Sequence, residues 1–199
     1  MRGPTLRLLG LLTIGVAMLV GWRAPDERLT LRAESRVRFE GTSTVRDWSC
    51  TASAIDAAIE AEGSGAVAAV LQARKAVQVV TLTFPVDRLE CGNGTMNGHM
   101  RKALRAETHR MIVFRLAEYD LAVGTPVAGT LRGTLTINGV ARPIVLRAQF
   151  APGPAGSLRV TGSHAVTMTE WQVTPPTLML GTLKVGPAVN VHFDLQLQP

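Results

Sequence analysis

The chain has 199 residues, 46% of them hydrophobic and 18% charged, and carries a formal net charge of +6. That length suits one domain plus a leader. A single tyrosine, few other aromatics and the lack of any dense basic run argue against a nucleic-acid-binding protein, which needs stacking platforms and a basic face.

The leader comes first. Arg2 and Arg7 precede an uncharged run at residues 8–22, LLGLLTIGVAMLVGW. A basic start followed by about fifteen apolar residues reads as a secretory signal over residues 1–24. It is short for a membrane span, which needs roughly twenty residues. The alternative is an uncleaved anchor, and membrane association is then expected through this segment alone. No cysteine follows closely, so a lipid-modified cysteine has no support. Without Arg2, Arg7 and Arg23 the net charge falls from +6 to +3. Residues 25–34 read as a linker and residues 35–199 as one domain. The expected location is periplasmic or secreted.

The stretch GTSTVRDWSC (41–50) reads as a strand turning a corner. Gly41 and Thr42 bend the chain, Arg46 and Asp47 face water or each other, and Trp48 plugs an end of the fold; the alternative is that this stretch contributes to a cavity mouth. Ser43 or Ser49 as a nucleophile would need a placed histidine, and the four histidines fall on other segments. Cys50 and Cys91 are the only cysteines. In an exported chain an even pair reads as a disulfide. The alternatives are two free buried thiols or a redox pair, although CxxC spacing is absent.

Residues 77–84, VQVVTLTF, alternate with Val80, Leu82 and Phe84 on one face. Residues 94–110 break the two-residue period. Met96, Met100 and Leu104 recur at helical spacing, with Thr95 or Asn93 to cap the start and Arg101, Lys102 and Arg105 in the later turns. Strand pattern resumes at 110–121, where Ile112, Phe114 and Leu116 align. Residues 127–137 align Val127, Leu131, Leu135 and Ile137, with Gly129 and Gly133 permitting the bends that a closed barrel needs. Asn138-Gly139 is the strongest short hairpin signal, because both central residues of a type I′ turn take positive φ. Residues 143–150 place Ile144, Leu146, Ala148 and Phe150 together, and APGPAGS (151–157) is a loop. Residues 189–197 alternate most cleanly, with Val189, Val191, Phe193, Leu195 and Leu197 on one face. About eight strands with one dry face each either stack as a sandwich or close as a barrel.

Three segments resemble the YceI-like family in order and spacing: GTSTVRDWSC (41–50); MNGHMRKAL (96–104) with IVFRL (112–116); and GTLTINGVARPIVL (133–146) with TEWQVTPPTLMLGTLKVGPAVNVHFDLQL (169–197). The resemblance implies an all-β fold. It would be a single antiparallel lipocalin-like β-barrel of about eight strands, with one short helix at the mouth, exported in bacteria. It also implies a binding protein rather than an enzyme. Some family members hold a polyisoprenoid or similar long-chain lipid, so the expected cargo is an isoprenoid or quinone-like molecule. The alternative is a structural or interaction module of the cell envelope with a filled barrel.

Strand faces then nominate the ligand-binding residues Leu82, Phe84, Ile112, Phe114, Leu116, Leu135, Leu146, Phe150 and Phe193, with Met96, Met100, Met168 and Trp171 near an opening. The helix methionines are pliable enough to follow a flexible alkyl chain. Arg101, Lys102 or Arg105 would meet an anionic head group, or else are solvated helix charges. No catalytic residue, metal site or cofactor is nominated: HExxH and CxxC are absent, and Gly92-Asn93-Gly94 lacks the lysine of a phosphate loop. The same apolar residues would line a cavity or fill a core, and the sequence leaves the oligomeric state open.

Overall fold

Period-two alternation runs through most of the domain, and a computed structural model, which describes residues 26–199, folds it into strands almost throughout. In chain order these are β1 (Glu27–Leu31), β2 (Arg36–Ser43), β3 (Trp48–Ala52), β4 (Asp56–Ala61), helix α1 (Ala66–Leu71), β5 (Val77–Pro85), β6 (Leu89–Glu90), helix α2 (Gly94–Ala103), β7 (Met111–Ala122), β8 (Val127–Ile137), β9 (Val140–Pro152), β10 (Leu158–Thr167), β11 (Thr177–Leu178) and β12 (Leu183–Gln198).

These elements make a closed antiparallel barrel of eight staves. Three staves are bent and so count as two strands each. β12 pairs with β2 over residues 185–194 and then with β1 at residues 197–198, so β1 and β2 are halves of one stave. That stave faces β4 and β3, which in turn face β5 and β6. The remaining order is β5-β7-β8-β9-β10-β12, and the β1–β12 pairing closes the ring. Among the described residues, the pairings that close it lie within residues 27–198. The segment expected as a linker therefore carries β1, the closing strand. The breaks at residues 32–35, 53–55 and 86–88 sit on adjacent staves and divide each into two strands.

Gly129 and Gly133 face inward on β8, and a Cβ on either would strike an aromatic ring, Phe150 or Phe114 respectively. The two rings occupy the space that a side chain at either glycine would take.

The two ends differ. One is shut by α1, whose Ala66, Ala69 and Val70 are buried beside Leu29, Leu158 and Leu197. This short helix lies in a stretch that the strand pattern did not single out. The Ala66 amide donates to the Glu27 carboxylate at 2.8 Å, tying the helix to β1. The other end is the mouth, formed by the 44–47 turn, α2, the 138–139 turn and the long 168–182 connection. Asn93 caps α2 by accepting the Met96 amide at 2.9 Å. The helix stops at Ala103 and does not run to 110: Arg105 adopts φ 49 and turns the chain into a tight loop.

Asn138 clamps the mouth. It is buried, takes φ 52 beside Gly139 at φ 77, and so forms the expected tight hairpin. Its side-chain oxygen accepts from Arg105 at 2.7 Å. Its amide donates to the carbonyls of Trp171 at 3.2 Å and Gln172 at 3.0 Å. One side chain thus joins three mouth segments. Asn138→Ala is expected to cost about 3 kcal/mol, part from stranded buried carbonyls and part from left-handed strain. Asn138→Gly should recover the strain and lose less. Urea midpoints for the two variants check this; midpoints equal to wild type for both would remove the clamp.

Candidate ligand-binding lumen

The apolar faces converge on an interior that side chains do not fill. A cavity of about 300 Å³ lies under the mouth. A second, of about 170 Å³, lies deeper, towards α1. Val37, Phe84, Leu135, Val166 and Val191 wall both, so the two chambers meet at a waist.

All thirteen residues nominated from strand faces and helix spacing line this lumen. Phe84 and Leu135 stand at the waist. Met96, Met100, Ile112, Met168 and Trp171 wall the mouth chamber. Leu82, Phe114, Leu116, Leu146, Phe150 and Phe193 wall the deep one. Met96 and Met100 reach in because α2 lies across the mouth with that stripe turned down. Trp171 is buried and donates its indole N–H to the Leu135 carbonyl at 3.1 Å, which pins the 168–182 connection to β8.

Other wall residues were not nominated. Val191 lies on a strand face that was read but not carried into the site, while β2, which supplies Val37, and β10, which supplies Val160, His164 and Val166, were not singled out as strand faces. Trp48 does not plug the barrel. It packs edge-on to Phe39 with ring centroids 6.4 Å apart, lies against Gly41, and forms part of the mouth wall. Arg46 is exposed at the rim, 3.9 Å from the Met96 sulfur. The cations expected on the helix do not point into the lumen: Arg101 donates to the Asp87 carbonyl at 2.9 Å, Lys102 faces solvent, and Arg105, in the loop beyond α2, donates to Asn138.

The Cys50–Cys91 disulfide forms and is buried. It joins β3 to Cys91, two residues before the α2 cap, and the Cys91 amide donates to Asn97 of that helix at 2.6 Å. The helix over the mouth is therefore anchored covalently to the wall.

Polar groups on the lumen wall are few. Ser43, Arg46 and His99 stand at the mouth. In the deep chamber, the Tyr119 hydroxyl is taken up by the amides of Ala76 and Val77, each at 2.9 Å. That leaves His164 facing apolar neighbours. Burial pushes its pKa below the ordinary histidine value, and the charge of Glu170 only partly opposes this. The unfolded chain then binds a proton that the folded chain resists. Stability is present above about pH 6.5 and is lost as pH falls towards the lower folded value. Urea midpoints taken above and below the histidine range should show this slope, and His164→Gln should flatten it. An unchanged slope in that variant would assign the pH dependence elsewhere.

A closed eight-stranded barrel with a greasy two-chamber interior and a helix-covered mouth defines a lipocalin-like architecture. The sequence matches the YceI-like domain over residues 30–197, and the chain belongs to that family. No curated protein matches it. Solved structures share its fold at low identity. Burkholderia cenocepacia BcnA is 15% identical with a TM-score of 0.64, over 85% of this chain and 100% of that one. A polyisoprenoid binding domain from Saccharophagus degradans, implicated in plant cell wall breakdown, is 15% identical with a TM-score of 0.62, over 85% and 97%. The Campylobacter jejuni YCEI protein is 18% identical with a TM-score of 0.59, over 75% and 84%. At these identities the likeness is one of fold.

Proposed function

We propose that this protein is an exported carrier that holds a long-chain hydrophobic or amphiphilic molecule, of isoprenoid or quinone-like type, inside its barrel. One observation carries the reading: the inward faces of the staves leave two abutting apolar chambers open beneath a covered mouth. Such walls offer almost no hydrogen bonds, so affinity must come from burial. Each methylene removed from water contributes about 0.8 kcal/mol, before the cost of ordering the chain. An elongated ligand suits two chambers in series better than a compact polar one. The structurally similar domain described as polyisoprenoid binding supports the same ligand class.

Export is supported by the buried disulfide, which suits an oxidising compartment. The basic and apolar leader that points the same way lies outside the described residues. The test is direct. Protein recovered from an exporting host is extracted with organic solvent and the extract is analysed by mass spectrometry. Recovery of a long-chain lipid in near-stoichiometric amount is expected. No lipid, together with no binding of a long-chain fluorescent probe, would end the carrier reading.

A further inference from the structure

We propose that the rim of the mouth is a docking surface for an anionic phospholipid bilayer, with Val45, Met179 and Leu180 inserted among the head groups. The inference concerns the outside of the barrel and goes beyond what the lumen holds.

Three large apolar side chains protrude at this end. Leu180 is fully exposed, Met179 is 72% exposed and Val45 is 66% exposed. They do not scatter. Val45 sits on the 44–47 turn and the other two on the 177–184 segment, and the two loops are stitched together. The Thr44 amide donates to the Lys184 carbonyl at 3.0 Å, the Thr44 hydroxyl donates to the Thr182 carbonyl at 2.8 Å, and the Lys184 amide donates back to the Thr44 hydroxyl at 3.1 Å. The tips therefore form one unit.

The backbone is strained to present them. Met179 and Leu180 take consecutive left-handed conformations, φ 52 and φ 54, at about 1–2 kcal/mol each for side chains of this kind. The Thr182 amide and hydroxyl both donate to the Met179 carbonyl, at 3.2 and 2.8 Å, and hold that shape. Neither Met179 nor Leu180 lines the lumen.

Charge decides between partners. Arg46 and Lys184 flank the tips, and exposed Lys102 stands on the neighbouring helix. On the two stitched loops, Arg46 and Lys184 outnumber Asp47. Convex apolar tips flanked by cations suit the boundary between anionic head groups and acyl chains, where each basic residue contributes about 1 kcal/mol. A protein partner would more often meet a groove or a flat face. The same two loops supply Ser43, Arg46, Leu178 and Leu183 to the mouth wall, so docking would set the lumen against the bilayer.

The test uses residues 26–199, which contain the pairings that close the barrel. Co-sedimentation is measured with vesicles of phosphatidylcholine alone and of phosphatidylcholine mixed with phosphatidylglycerol. Binding is expected only to the mixed vesicles and should weaken with salt. Met179→Glu/Leu180→Glu and, separately, Val45→Glu should each lose at least tenfold. Val123→Glu, at the closed end, should lose nothing. All variants should keep the wild-type melting temperature and bind a long-chain probe in solution as wild type does. No vesicle binding, or binding indifferent to the tip variants, would overturn the proposal. So would self-association that disappears in the tip variants without any vesicle binding, which would assign the tips to a protein interface. Vesicle binding without probe binding would keep the docking surface and remove the carrier; the reverse would keep the carrier and remove the docking surface.

Discussion

Leu135→Trp is expected to weaken binding of a long-chain probe by at least tenfold while leaving the fold intact. Leu135 borders both chambers, so a larger ring there grows into the waist. Excluding two or three methylenes of a threaded chain forfeits about 2 kcal/mol, which is more than tenfold in affinity. The added ring enters existing space, so the change in stability should stay under about 1 kcal/mol. In a packed core the same substitution would cost about 1–3 kcal/mol through overpacking. Fluorescence titration and urea unfolding of one variant therefore separate a cavity from a filled barrel. Val145→Trp, on the exposed face of β9, should change neither quantity. A large loss of stability in Leu135→Trp with unaltered probe affinity would mean that the interior is a core.

Removing the Cys50–Cys91 bond should have the largest effect on stability. The cross-link spans a sequence separation of 41 residues. Chain-entropy arguments assign such a closure about 4 kcal/mol. For a protein of this size that corresponds to a melting temperature lower by about 10 °C. The double variant Cys50→Ala/Cys91→Ala, followed by calorimetry, checks the figure. Function should respond as well. Without the bond, α2 is held over the mouth by weaker ties, chiefly the Asn97 contacts with Cys91 and Glu90 and the Arg101–Asp87 contact. Probe dissociation should therefore quicken, beyond any change at equilibrium. A variant that melts lower but releases the probe at the wild-type rate would show that the bond stabilises the barrel without restraining the lid.

Much of this fold was legible because period two is hard to hide. In β12, Val189, Val191, Phe193, Leu195 and Leu197 alternate with polar residues, and the strand simply extends further towards Leu183 than the alternation alone suggests. The Asn138-Gly139 turn was legible because few residue pairs tolerate two positive φ angles. The first two staves were harder. Breaks at residues 32–35 and 53–55 cut each into short pieces, so β1 resembled a linker. Helix α1 has only six residues, too few to display a helical stripe. For the site, parity along each strand was enough to find the wall residues. It could not say whether they touch one another, because strand number and stagger, rather than residue type, set the radius of a barrel. His164 had a signal that went unread: it falls in step with Leu158, Val160 and Val166 on the inner face of β10. The apolar pair Met179-Leu180, in a segment that begins with two prolines, was likewise visible as residues, but its exposure depends on backbone conformation that no spacing rule conveys.

The most direct test is the affinity of delipidated protein for isoprenoid alcohols of increasing chain length, measured by calorimetry. A hollow barrel of two chambers predicts affinity that climbs with each added unit while the chain fills the mouth chamber and then the deep one, and levels off once both are occupied. No binding at any length, or affinity indifferent to length, would contradict an open interior.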